Sequence, residues 1–536
     1  MKTEEESFSE EEKILLSKYV SNVNKPIFVL HNLLEVVKGA LFSRYSRSPL
    51  GLRTLLLREF LQADEIEMQD EDSRESIREQ AQAIKKAQHF YDRILDGYGD
   101  DSIAELGGAH LAMEEISMLA SKVVEDCRIG GSPLEKSTRY VYFDQKVGGQ
   151  YRFYREPILM TSAHRDLYLD MCNELFTTYT QLIAPLTGYM QEQFPKEESL
   201  SKMAYNSVIR ARVLDCLRGL LPASTLTNVG IYGNGRFFEG VIRKLKSHSL
   251  TEMQYLGKEV LEELNKVIPS FIKRTEDNHP HQQAHCTHQR KMQETLKCME
   301  EKYGKREELL TFTQEREVEV LLHPSCQYNA ADLAAALLFP HSKVSLQNLQ
   351  KICSTYSSEE LQELFSATLS SRTNRRHKLP RALESFSFTF EFLADYGVYR
   401  DLQRHRLLSQ ERQLLSCHYG YFLPRELVGT EWEAPYRRAL HRAKEVYDQI
   451  AVQFPEEAQY VVPMAYRIRW YFHLSLRELQ WLAELRSSRA GHPTYRKIAQ
   501  EMVRLLSVHH PELAAFFPFV DWEESSWSRL EEEKRK

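Results

Sequence analysis

Four cationic or titratable side chains, Arg400, Arg404, His405 and Arg406, fall within the stretch Tyr399-Arg400-Asp401-Leu402-Gln403-Arg404-His405-Arg406-Leu407-Leu408-Ser409. Guanidinium groups bunched in this way suit phosphates and carboxylates, because the planar fork donates two parallel N–H bonds to such an anion. The competing reading is a solvated basic helix face. A second stretch, Cys127 to Tyr140, ends in hydroxyl, acid, hydroxyl and guanidinium groups at alternating positions. If extended, it puts Glu135, Ser137 and Arg139 on one side. An arginine beside small hydroxyls suits a phosphate ester, and a neighbouring carboxylate suits a sugar hydroxyl or a base edge. A third group, His279, His281, His285, Cys286 and His288, has zinc-binding chemistry. It lies in a polar tract that supplies no partners to orient such ligands, so the solvated reading is preferred and no metal is expected.

The elements that must position these residues are legible in part. Phe386-Ser387-Phe388-Thr389-Phe390-Glu391-Phe392 alternates strictly, as a strand leading into a helix does. Near the N-terminus, Lys25–Leu30 reads as a short strand and Asn32–Phe42 as an Asn-capped helix. Glu317–Leu322 followed by Asn329–Phe339 repeats that order, which raises an internal duplication. The glutamate-rich segment 64–86 predicts an exposed helix, and the polar tract 273–315 a linker with helical charge alternation around 291–308. The last residues, 523–536, read as a charged tail.

With 536 residues, two or more domains are expected. Net charge is −6 and the pI about 6.4, which argues against a nucleic-acid binder driven by overall charge, despite the basic run Arg372, Arg375, Arg376, His377, Lys378. No apolar stretch has the length of a membrane span, and the acidic N-terminus lacks the apolar run of a signal peptide. Eight scattered cysteines without a C-x-x-C pair fit reduced thiols, so a cytoplasmic location is expected.

The stretches taken together resemble the flavin-dependent thymidylate synthases, whose signature is R-H-R-x-x-S-x-x-E-x-S-x-R. Arg404-His405-Arg406 with Ser409 matches its first part, after which Arg412, Leu414 and Ser416 stand at the Glu, Ser and Arg positions. In the earlier stretch Cys127-Arg128-Ile129 replaces Arg-His-Arg, while Ser132, Glu135, Ser137 and Arg139 fall in place. The family's Arg-x-x-Leu-Pro segment is matched by Arg218–Pro222, against Gln459–Pro463 in the second half. Its Asn-x-Arg, followed nine residues later by Arg, appears as Asn234-Gly235-Arg236 with Leu245, and as Ser475-Leu476-Arg477 with Arg486. The H-x-S-x-x-E segment is blurred in both copies, each retaining its Glu, at Glu105 and Glu384, and losing its His. Each half thus retains what the other lost.

The resemblance implies an α+β fold in two tandem lobes, helix-rich with a small sheet in each. A first repeat is expected over 1–275, a linker over 276–314 and a second repeat over 315–536. It also implies reductive methylation of dUMP to dTMP, with methylenetetrahydrofolate, NADPH and FAD, and a homodimer equivalent to the family tetramer. No nucleic-acid or membrane partner is implied. Carried over residue by residue, dUMP falls to Ser132, Glu135, Ser137, Arg139, Arg218 and Arg486, with Arg486 catalytic. FAD falls to Arg404, His405, Arg406, Glu384, Arg477, Asn234 and Arg236. The complementary losses imply a composite site built from both repeats, its two arginine sets about one cofactor length apart. The reciprocal site is expected to be dead. A non-catalytic nucleotide- or flavin-binding scaffold of the same fold is the other reading.

Overall fold

The computed structural model describes residues 8–45, 48, 50–61, 103–127, 129–198, 201–303, 318–324, 328–489 and 491–523. The chain forms two compact units. One comprises Met1–Glu114, Ile129–Glu135 and Asn228–Arg306; the other comprises Glu115–Arg128, Lys136–Thr227 and Glu307–Lys536.

Two similar series of elements follow one another along the chain. The first runs β1 (Gly108–Ser117), α1 (Met118–Glu125), β2 (Gly131–Glu135), the long α2 (Arg165–Gln193), α3 (Lys202–Leu217), a 3-10 turn Arg218–Leu220, β3 (Leu226–Asn234), α4 (Gly235–Ser247) and α5 (Thr251–Asn265). After β4 (Glu319–Leu322), the second series runs β5 (Ser387–Asp395), α6 (Tyr396–Leu402), β6 (Leu408–Arg412), α7 (Glu433–Ala451), a 3-10 turn Glu457–Val461, β7 (Arg467–Ser475), α8 (Leu476–Arg486) and α9 (Pro493–His509). Apart from β4 and α3, the order is the same. The sheets of the two series are small, with orders β1-β3-β2 and β4-β5-β7-β6, beside a two-stranded ribbon of Lys146–Val147 and Gln150–Tyr151.

Each series switches twice from strand to helix, and each switch is made by a short polar side chain. Ser117 and Asp395 accept the N–H of Ala120 and Val398, both at 2.9 Å; Asn234 and Ser475 accept those of Phe237 and Glu478 at 2.8 and 3.2 Å. Such caps satisfy amide donors that the first helical turn leaves unpaired. Register fixes the correspondence: Ser132 lies opposite Tyr232 and Ser409 opposite His473, each partner two residues before its cap. The signature serines are therefore structural equivalents.

Backbone hydrogen bonds of the second unit repeat the correspondence. The N–H groups of Met118 and Leu119 bond Thr225 and Ala223 oxygens, while those of Tyr396 and Gly397 bond Tyr466 and Met464 oxygens. The two proline segments meet directly through a Pro222–Pro463 bridge. Ala223 N bonds Val462 O and Met464 N bonds Leu221 O, both at 2.9 Å. This reciprocal exchange is the local two-fold symmetry of a duplicated chain. It makes Gln459 the counterpart of Arg218.

The alternating aromatics build the core of the second sheet: Phe388, Phe390 and Phe392 of β5 are buried, and Phe392 stacks on Trp470 of β7 at 5.1 Å. Asn329 caps the helix Ala330–Leu338 through the N–H of Ala331, as its sequence predicts. Two N-terminal expectations are corrected. Lys25–Leu30 forms only an isolated bridge, Val20 to Leu30. Asn32 has φ +54° and donates to the Lys18 carbonyl, so the helix starts later, at Glu35. The segment 64–86 and the tail 524–536 lie outside the described residues. Among the described residues no helix is long and apolar enough to cross a membrane, and no His/Cys/Asp/Glu group is placed to hold a metal ion.

Candidate functional site

Helix α6 ends at Leu402, and the chain turns through Arg404-His405-Arg406 before entering β6. Two amides tie this turn to α1 of the first series: Gln403 Nε2 donates to Lys122 O at 2.6 Å and Gln410 Nε2 to Asp126 Oδ1 at 2.8 Å. The turn cannot be moved without disturbing the other repeat.

At its centre is Asp401, in the last turn of α6. Its Oδ1 accepts from Arg404 Nη2 at 2.9 Å and its Oδ2 from Arg218 Nη1 at 3.1 Å. Burial acts to raise this carboxyl's pKa, but Arg218, then Arg404, Arg139 and Arg486, hold it well below the usual range. Arg218 is buried at the end of α3, and its Nη2 has no hydrogen-bond partner among the described residues. A buried guanidinium with an unspent donor has capacity for an anionic acceptor. Gly219, next in the chain, permits the close packing that buries it: a Cβ there would lie 2.2 Å from Tyr436 Oη.

Arg139 joins the same group. It forms a bidentate pair with Asp215 of α3 at 2.6 and 2.7 Å, and its Nη1 lies 3.2 Å from Tyr495 Oη. Burial would raise the Asp215 carboxyl; Arg139 instead brings it down to about 2. Arg486, at the end of α8, donates Nε–H to His405 Nε2 at 3.0 Å, and its guanidinium lies 5.7 Å from the Tyr495 ring. Because His405 Nε2 accepts, its proton is on Nδ1, 2.9 Å from Glu478 Oε1. Burial lowers the His405 pKa against the pull of Glu478, and Arg486 lowers it further, so the imidazole is the neutral tautomer this network requires. Nearby His492 is held neutral, its pKa lowered to about 3 by burial and then by Arg218.

The structure therefore brings Arg139 and Arg218 from the first repeat together with Arg404, His405 and Arg486 from the second, inside one unit of one chain. The spacing differs from expectation: the two arginine sets are not a cofactor length apart but are joined through Asp401, because a buried carboxylate stabilises guanidiniums that would otherwise repel. Two other expectations change. Arg400 turns inward against the sulfurs of Met118 and Met464. The alternation Glu135-Ser137-Arg139 ends with β2 at Glu135, since Ser137 Oγ accepts the Arg139 N–H at 3.2 Å and turns the chain. Of the basic run, Arg372 is spent on Glu484 at 2.5 and 2.8 Å. Arg406 is exposed.

Glu384 and Arg477 form an ion pair, with Arg477 Nε also on Leu379 O at 2.9 Å. Their equivalents Glu105 and Arg236 pair at 2.7 Å. The two blurred motif remnants are thus partners of each other in both repeats. Asn234 serves as the α4 cap, and Ser132 and Glu135 lie on β2; all three, with Arg236, belong to the other unit. Asp215, Asp395, Asp401, Glu478, His492 and Tyr495 were not singled out from the sequence. Asp215 and Asp401 each stand three residues before an assigned arginine, and Glu478 directly follows one, a local signal that was available; His492 and Tyr495 carried none.

One group of the site works against stability. Asp395 is fully buried, and only one of its oxygens is used, on the Val398 N–H; Oδ2 has no partner among the described residues. Burial raises its pKa from 3.8 to about 6, with Arg218 opposing. The folded protein therefore binds more protons than the unfolded chain between about pH 4 and 6, and Asp395 withdraws up to about 3 kcal/mol as pH rises through that window. Asp215 and His492, with lowered values, act in the opposite sense and cost stability as pH falls. Asp395→Asn, which keeps a capping oxygen, is expected to melt higher than the parent at pH 8, the gap closing toward pH 4. An Asn variant less stable at pH 8 would contradict this.

The chain matches the thymidylate synthase complementing protein family over residues 58–270 and again over 327–512. A UPF0159 protein of Chlamydia muridarum is 50% identical over 540 residues, covering 100% of each chain. Among solved structures, a UMP/dUMP methylase from Streptomyces cacaoi bound with 5-Br dUMP is similar at 21% identity and TM-score 0.30, covering 38% of this chain and 96% of that one. Thymidylate synthase X from Helicobacter pylori, with FAD and dUMP, is similar at 20% identity and TM-score 0.28, covering 38% and 97%. With the family matched twice, over the same two series of elements that the backbone bonds relate, the chain belongs to the thymidylate synthase complementing protein family, the flavin-dependent thymidylate synthases, and carries their fold in two tandem lobes.

Proposed function

We propose that the chain is a flavin-dependent thymidylate synthase that methylates dUMP reductively to dTMP at one composite site, using methylenetetrahydrofolate, FAD and NADPH. The observation that carries this reading is the convergence of Arg139, Arg218, Arg404 and Arg486 on Asp401, with a buried donor of Arg218 unspent. Membership of the family is consistent with it.

Arg218 and Arg139 bind the nucleotide phosphate, the first through its unspent Nη2, the second oriented by Asp215. Ser137, of the dUMP set carried over from the family, sits at the same turn as Arg139. Arg486 stabilises negative charge developing on the pyrimidine carbonyl, an electrostatic contribution that needs a fixed donor. That fixing comes from the neutral His405, itself held by Glu478. Arg404 and the exposed Arg406 present cationic surface that fits the anionic groups of a flavin dinucleotide, and the Glu384–Arg477 pair belongs to the carried-over flavin set. FAD, when bound and reduced, supplies the hydride. The protein binds, orients and polarises. Burial raises the thiols of Cys172, Cys216, Cys353 and Cys417, so none of these four is set up as a nucleophile.

The purified protein is expected to take up FAD and to form dTMP from dUMP, methylenetetrahydrofolate and NADPH. Binding of FAD and dUMP without turnover would leave only a scaffold, and failure to bind either would overturn the reading. Within it, Arg404→Ala is expected to reduce flavin retention more than dUMP affinity, and Arg139→Ala the reverse, each by about 1.5–3 kcal/mol for its own ligand. Equal effects on both ligands would show the roles misassigned.

A further inference from the structure

We propose that Asp401 is a positioning residue of this site, whose carboxylate orients Arg218 toward the nucleotide phosphate while holding Arg404, assigned to the flavin, beside it. The proposal deepens the nucleotide reading above and rests on it.

The two carboxylate oxygens of Asp401 each take one guanidinium, so the residue clamps an arginine of the first repeat to one of the second. By occupying Nη1 of Arg218 it leaves Nη2 as the unspent donor. The clamp itself is anchored, since α6 begins at the Asp395 cap and its first amides bond the proline segment that precedes β7, at Tyr466 and Met464.

The duplication supplies an internal reference for what the fold alone needs. At the equivalent turn of α1 the chain has Val123 and Val124, both buried. Where α6 is capped by Asp395, α1 is capped by Ser117, and where Arg218 stands the second repeat has Gln459. Gln459 is satisfied locally, its Nε2 on Glu456 O at 3.0 Å and its Oε1 accepting Leu415 N at 3.1 Å. The same backbone frame therefore closes with neutral residues at all these positions. Asp395, Asp401 and Arg218 occur together at one site and have no charged equivalents at the matching positions of the other, although a buried Lys122–Glu125 pair flanks Val123 and Val124 there; a set confined to one site is what a ligand-holding role predicts.

A counter-ion alone would also accompany a buried arginine, and the two roles differ in sign. If Asp401 only neutralised charge, removing its charge would tighten anion binding. If it positions, removal weakens binding despite the added positive charge. The test measures equilibrium binding of dUMP, inorganic phosphate and deoxyuridine to the full chain as parent, Asp401→Asn and Asp401→Glu. Both variants are expected to bind dUMP and phosphate about tenfold or more weakly. Deoxyuridine, lacking the phosphate, is expected to bind all three proteins alike. Tighter phosphate binding by Asp401→Asn, parental affinity in Asp401→Glu, or parallel loss of deoxyuridine binding would overturn the assignment. If Asp401→Asn does not fold, Asp401→Glu carries the test, because it keeps the charge and shifts only its position. A parent that binds phosphate but not dUMP removes the nucleotide reading while the phosphate arm still decides on Asp401; a parent that binds neither overturns both.

Discussion

Arg218→Gln is expected to weaken dUMP binding by about 10- to 150-fold, the loss of a charge-assisted contact worth roughly 1.5–3 kcal/mol. The substitution installs the residue that the second repeat carries at the equivalent place, Gln459, in a backbone frame shown to accept it. It also leaves Asp401 with Arg404 as its remaining hydrogen-bonded guanidinium, and breaking one side of a buried ion pair destabilises by leaving charge uncompensated. The single variant should therefore melt lower than the parent at pH 8. The double variant Arg218→Gln/Asp401→Val, which recreates the neutral arrangement of the first-repeat helix, should recover much of that stability without recovering dUMP affinity. The measurements are calorimetric melting and dUMP titration of the same three proteins. Recovery of both properties together would show that the charges serve the fold rather than the ligand.

Arg486→Leu, which installs the residue found at its counterpart Leu245, is expected to lower kcat by about 10²–10³, the range for removing one fixed donor from a developing oxyanion. Dissociation of dUMP should change less, because the phosphate is assigned to Arg139 and Arg218. The substitution frees His405 Nε2 from its donor and removes a guanidinium neighbour whose charge lowers the imidazole. The His405 pKa is thus expected to rise toward its ordinary value, which an NMR titration of the imidazole would follow. A kcat unchanged with KM raised would make Arg486 a binding residue rather than a catalytic one.

The sequence was most legible where one residue type does one local job. Alternating phenylalanines announced β5, and the Asn329 cap announced its helix, because strand pleat and capping are short-range physics. The signature halves were also readable as complementary, and strand register now shows Ser132 and Ser409 to be equivalent. What could not be read was the partner of each charge. Arg139 meets Asp215 across 76 positions of chain and Tyr495 across 356, distances at which spacing carries no signal. Arg400, indistinguishable by type from Arg404, points into the interior because helix phase turns it toward Met118 and Met464. Asn32 misled as a cap because its side chain found a carbonyl acceptor in an earlier segment, Lys18. The separation expected between the two arginine sets failed for a related reason: it took the ligand as the only possible bridge, whereas Asp401 provides one in the protein itself.

The claim of one composite site per chain is tested most directly by the stoichiometry of dUMP binding. The counterpart positions carry Gln459 for Arg218, Leu245 for Arg486 and Ser416 for Arg139, so three of the assigned guanidiniums have no equivalent there. Titration of the flavin-loaded full chain with dUMP in a calorimeter should saturate at one nucleotide per chain, and Arg218→Gln should weaken binding at that site by about 10- to 150-fold. Saturation at two nucleotides per chain, or a single site whose affinity is untouched by Arg218→Gln, would contradict the account.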